Sequence, residues 1–108
     1  MAVHLLVTTT TPDRQSGAKL AAAAVSGHLA ATAQVTGPVA SFFWHLGEQG
    51  EGQEWNVTFK TTDARYADLE AHIVEHHPWD KPEVTAVELV HGSAAYLRWV
   101  EESTATRD

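Results

Sequence analysis

Val3, Leu5 and Val7 alternate with His4, Leu6 and Thr8, and a strand apolar on both faces predicts a central place in a sheet. Thr11-Pro12-Asp13 then marks a helix start. The threonine hydroxyl can cap orphan amides, proline suits the first helical position and the aspartate complements the helix dipole. Ala18, Ala21, Ala24, Val25 and Leu29 repeat at helical spacing, and their small side chains let the helix lie close to the sheet. Gly17 and Gly27 each cost about 1 kcal/mol relative to alanine inside a helix, so this helix depends on tertiary packing.

Beyond Ala31 the pattern becomes extended. Ala33, Val35, Val39, Ser41 and Phe43 predict one face of a strand, with a kink or bulge at Gly37-Pro38. The polar stretch from Gly47 to Gln53 is expected to be the loop of a hairpin. Trp55, Val57 and Phe59 alternate with Asn56, Thr58 and Lys60 as a half-buried strand. Thr61-Thr62-Asp63 caps a second helix, with Tyr66, Leu69, Ile73 and the His76/His77 position on one face, ended by Pro78 and Pro82. A fourth strand is expected over 83–90. Ser93 caps a last short helix whose Tyr96, Trp99 and Val100 seal one end of the core, followed by a charged, frayed tail from Glu101. The order β-α-β-β-α-β is a ferredoxin-like α+β sandwich with an extra C-terminal helix, as one domain over residues 1–108.

Composition narrows the function. The chain is 44% hydrophobic, with four tryptophans and a formal charge of −7. That charge disfavours nucleic acid and acidic membranes, which bind through clustered Lys and Arg. With no cysteine, disulfides, thiolate metal sites and a cysteine nucleophile are excluded. The first residues carry no basic, apolar leader, and the longest apolar run, Leu20 to Val25, is far below the ~18 residues of a membrane span. A cytoplasmic protein is expected. No serine stands in a nucleophile elbow and no paired catalytic motif is present, so no enzyme is expected.

Three strings carry a resemblance: Leu29-Ala30-Ala31, Lys60-Thr61-Thr62, and His76-His77-Pro78-Trp79-Asp80-Lys81-Pro82-Glu83 followed by Gly92 and Tyr96-Leu97-Arg98-Trp99-Val100. In register, over nearly the whole chain, they resemble the CutA divalent-cation-tolerance family. The resemblance implies a homotrimer similar in assembly to the PII signalling proteins, with long hairpin strands pairing across subunits, and a role in tolerance of copper and other divalent metals. It also implies metal ligation by His77 and Glu83; Thr9 and Thr32 stand where family members carry cysteine. His45 stands where the family has tryptophan. An imidazole and carboxylate set suits Cu(II) or Zn(II) better than Cu(I), so a weakly held Cu(II) or Zn(II) is the expected ion, with no organic cofactor.

Seven histidines are present. His72 and His76 lie at i, i+4 on the second helix, the spacing of a metal clip, and His76 could assist His77 and Glu83. Alternatively His72 lies on a solvated face, and His76 and His77 complement the helix C-terminus. Glu83 could instead cap amides or pair with Lys60 or Arg65. The other histidines are expected at the surface or satisfied in place. A second reading is a PII-like signalling or scaffold module that binds a small anionic ligand at an intersubunit cleft through Lys60, Thr61 and Trp79.

Overall fold

The computed structural model describes residues 2–106. Seven elements follow the expected order: β1 (His4–Thr11), α1 (Arg14–Ser26), β2 (Thr32–His45), β3 (Glu48–Thr62), α2 (Asp63–His76), β4 (Thr85–Glu88) and α3 (Ala94–Ser103). The sheet runs β2-β3-β1-β4 with every pairing antiparallel. β1 is thus interior, as its two apolar faces predict. Val7, Val57 and Phe59 from the sheet meet Leu20, Ala24, Leu69 and Ile73 from the helices in one core, which places α1 and α2 on the same face. The ferredoxin-like α+β reading holds.

Details at the element ends depart from expectation. Asp13, not Thr11, caps α1: its carboxylate accepts from the Ser16 amide at 2.7 Å. Thr11 is the last residue of β1, and its hydroxyl donates to the Asp13 carbonyl at 2.9 Å. The helix stops at Ser26 because Gly27 caps it and His28 takes φ 60, so Leu29 packs on the core from outside the helix. Gly17 is the close-packing point of α1. A Cβ there would stand 3.0 Å from both Thr11 Oγ1 and a Val57 methyl.

The predicted irregularity at Gly37-Pro38 is a one-residue bulge, since the β2–β3 register shifts between Thr36 and Val39. An extra residue moves every later side chain to the opposite face. Ala33 and Val35 pair with the core residues Phe59 and Val57, whereas Val39, Ser41 and Phe43 pair with Glu54, Gly52 and Gly50 on the other face. The expectation of one continuous face is therefore corrected.

Of the polar loop expected over 47–53, all but Gly47 is strand. Leu46 (φ 51) and Gly47 (φ 80) turn the chain in a two-residue hairpin of the type whose twist matches its strands. The following glycines belong to β3. Gly50 faces Phe43, and a Cβ on it would stand 2.8 Å from the Phe43 ring. β4 is shorter than 83–90, and all four of its residues are exposed. In α3 only Val100 is buried; Tyr96 and Trp99 remain 40% and 45% exposed, so they do not seal the core. Nor does the chain fray at Glu101: Glu101 pairs with His4 at 2.7 Å, and Thr104 is buried and donates to the Val100 carbonyl at 2.9 Å.

Candidate functional site

β4 begins opposite Thr8, which leaves the Thr10 carbonyl of β1 beyond the end of its neighbouring strand. A strand carbonyl with no neighbouring strand needs another partner, and His77 supplies it: Nε2 lies 2.7 Å from Thr10 O. Pro78 enforces extended backbone at the residue before it, and His77, at ψ 143, ends α2. The bend brings the Trp79 amide to within 3.0 Å of His77 Nδ1. An amide can only donate, so Nδ1 accepts and the ring proton lies on Nε2, aimed at Thr10. Both nitrogens are engaged. The Trp79 ring stands 5.3 Å from the imidazole.

The remaining candidates do not converge on His77. Glu83 is exposed and accepts from the Thr85 hydroxyl at 2.8 Å; Arg65 pairs instead with Asp68 at 2.9 Å, so the suggested pairing of Glu83 with Arg65 is not formed. His76 is exposed, with Nδ1 2.9 Å from the His72 carbonyl and its ring 4.8 Å from that of His72. Thr9 is fully buried, and its hydroxyl has no hydrogen-bond partner. Among the described residues no three His, Asp or Glu side chains gather closely enough to hold one ion. The expected set of His77, Glu83 and His76 is therefore not assembled within a single subunit as it stands, because His77 serves the backbone instead.

Lys60, Thr61 and Trp79 also separate. Thr61 is fully buried and donates to the Leu29 carbonyl at 2.7 Å, fastening the segment after α1. Lys60 pairs with Leu6 and Thr32 in the sheet. Trp79 lines a groove of about 890 Å³ with Phe43, Trp44, Leu46, Asp80 and Lys81. His45 and Glu54 also border it, so two carboxylates face one lysine, an unfavourable balance for an anion.

Sequence reasoning missed the contribution of the hairpin tip to this groove. A signal was present in Phe42-Phe43-Trp44, where apolar residues without alternation at a strand end ask for cover on both faces. Phe42, Trp44 and Leu46 are 63%, 79% and 90% exposed. His4 and His28, by contrast, are satisfied as expected, by Glu101 at 2.7 Å and by the Ser103 carbonyl at 3.0 Å.

A four-stranded antiparallel sheet with two helices on one face, a long exposed hairpin and a His-Pro bend defines a ferredoxin-like α+β protein. Residues 5–103 match the family described as CutA1 divalent ion tolerance protein, and the chain belongs to that family. It is 30% identical over 99 residues to the divalent-cation tolerance protein CutA of Thermus thermophilus, covering 92% of this chain and 96% of that one. It is also 30% identical over 100 residues to the chloroplastic protein CutA 1 of Oryza sativa, covering 93% of this chain and 56% of the relative. The chain thus spans about half the length of the plant relatives it matches.

Among solved structures, CutA1 from Oryza sativa superimposes with a TM-score of 0.93 at 28% identity, over 97% of this chain and 96% of that one. The Thermus thermophilus Cut A1 structure gives 0.91 at 29%, over 94% and 99%. The relatives' names span compartments, from chloroplastic plant proteins to a periplasmic protein of Archaeoglobus fulgidus. Among the described residues no helix is long and apolar enough to cross a membrane.

Proposed function

We propose that the chain acts in divalent-cation tolerance as a cytoplasmic homotrimer that binds Cu(II) or Zn(II) weakly and performs no catalysis. What carries the reading is the bend from His77-Pro78 to Pro82-Glu83 inside a chain that matches the tolerance family almost end to end. The assembly is supported by the hairpin. Phe42 and Trp44 project from one face of β2 into solvent, and a strand edge with exposed aromatics is stabilised when a second copy covers it.

Cation binding at His77 and Glu83 requires His77 to free a lone pair. The available one is on Nδ1, so the ion displaces the Trp79 amide, and giving up that hydrogen bond costs about 0.5–1.5 kcal/mol. This cost accounts for weak binding. It also couples the ion to the position of Trp79 and hence to the groove shared with the hairpin tip.

The test is sedimentation equilibrium joined to chelator-competed calorimetry with Cu(II) and Zn(II), on wild type and Glu83→Gln. The reading expects a mass about three times the 11.7 kDa chain and a weak binding phase, separate from any tighter one, that is lost in the variant. A monomeric mass, or no uptake of either ion, overturns it.

A further inference from the structure

The geometry points to a second divalent-cation site, formed by His72 and His76 on α2 and independent of the His77 bend. One helical turn separates the two residues, so their side chains share a face. Their ring centroids are 4.8 Å apart with planes at 41°. His76 Nδ1 lies 2.9 Å from the His72 carbonyl, which can only accept, so Nδ1 carries the proton and Nε2 keeps its lone pair.

His72 supplies the observation that points to a ligand. Its Nε2 is shielded from solvent and has no hydrogen-bond partner. A buried polar atom without a partner costs roughly 1–3 kcal/mol and calls for an explanation. A cation bridging it to His76 removes the deficit. Two imidazole nitrogens, each about 2.0–2.1 Å from one ion, stand roughly 3 Å apart, so the two rings, now 4.8 Å apart between centroids, must turn their Nε2 atoms toward one another to hold it. His76 is exposed, so water completes the coordination sphere.

The donor set selects the ion. Two imidazoles with water oxygens suit tetragonal Cu(II) first and Zn(II) second, whereas Ca(II) and Mg(II) prefer carboxylate and carbonyl oxygen. Neither nitrogen must abandon a protein hydrogen bond to bind, unlike His77. The clip is therefore the stronger of the two sites for Cu(II), loaded before the bend.

The experiment is a Cu(II) titration under chelator competition, with binding heat and the nitrogen hyperfine pattern of the electron paramagnetic resonance spectrum as readouts. It is run on wild type, His72→Gln, His76→Gln and Glu83→Gln, with circular dichroism confirming helix content. The first Cu(II) per chain shows two coordinated nitrogens. His72→Gln and His76→Gln each lower its affinity by at least about tenfold, since loss of a group only one shell out already costs 10–100-fold. Glu83→Gln leaves that first ion unchanged, which separates the clip from the bend. An affinity and nitrogen count unaltered in both histidine variants, or a first ion lost only in Glu83→Gln, overturns the assignment.

Discussion

His77 closes the edge of the sheet by holding Thr10: its Nε2 sits 2.7 Å from the Thr10 carbonyl while its Nδ1 accepts the Trp79 amide at 3.0 Å. Removing the ring, which belongs to a residue only 9% exposed, leaves two backbone groups without this partner. His77→Ala is expected to lose about 1–3 kcal/mol of stability, read as a lower urea midpoint with unchanged slope. A midpoint equal to wild type contradicts the structural role.

Gly17 sets two effects against each other. Alanine gains about 1 kcal/mol of helix propensity, but its Cβ meets Thr11 and Val57 at 3.0 Å, and overpacking costs about 1–3 kcal/mol. Packing should win, because both neighbours belong to the sheet under α1 and are themselves fully buried. Gly17→Ala is expected to be less stable by up to about 2 kcal/mol; a rise in melting temperature contradicts the close-packing account.

Asp13 gives α1 a dependence on acid. The hydrogen bond from the Ser16 amide, with a smaller one from the Ser16 side chain, holds its carboxyl below the ordinary carboxylate value. A carboxylate depressed in the folded state contributes stability that is present above its unfolded pKa and lost as pH falls through the folded value. Wild type and Asp13→Ala should therefore differ in melting temperature at neutral pH, and the gap should begin to narrow near the ordinary carboxylate value of about pH 4 and close only below the lower folded value. A gap that persists in acid argues against the cap.

Phe42 and Trp44 stand mostly in solvent, outside the core of the subunit. Phe42→Ser combined with Trp44→Ser should preserve the circular dichroism spectrum and shift the sedimenting species toward the single-chain mass. An assembly unaffected by the pair places the subunit contact elsewhere.

The interior of the fold was legible because its signals are periodic. Val57 and Phe59 alternate, Leu69 and Ile73 recur at one helical turn, and all four are fully buried. What failed was governed by single residues or by partners distant in sequence. The bulge after Thr36 exchanged the faces of Val39 and Phe43, which no count of alternating positions reveals. The glycines at 50 and 52 resembled a loop because the sequence does not display the Phe43 ring that fills the space above one of them.

The candidate site was legible as a list of residues and not as an arrangement. His77, Pro78 and Trp79 form the bend that their spacing suggested, yet His77 meets Thr10, 67 positions away. That contact depends on β4 beginning only at Thr85, and the strand's start was misplaced by two residues. His72 and His76 do share a helix face, because i, i+4 geometry needs no tertiary information.

Native mass spectrometry of the wild-type chain with Cu(II) tests the central claim most directly, because one spectrum reads both assembly and ion uptake. The account predicts a trimer, about three times 11.7 kDa, that takes up at least one Cu(II) per chain. A monomer, or a trimer that stays free of copper, would contradict it.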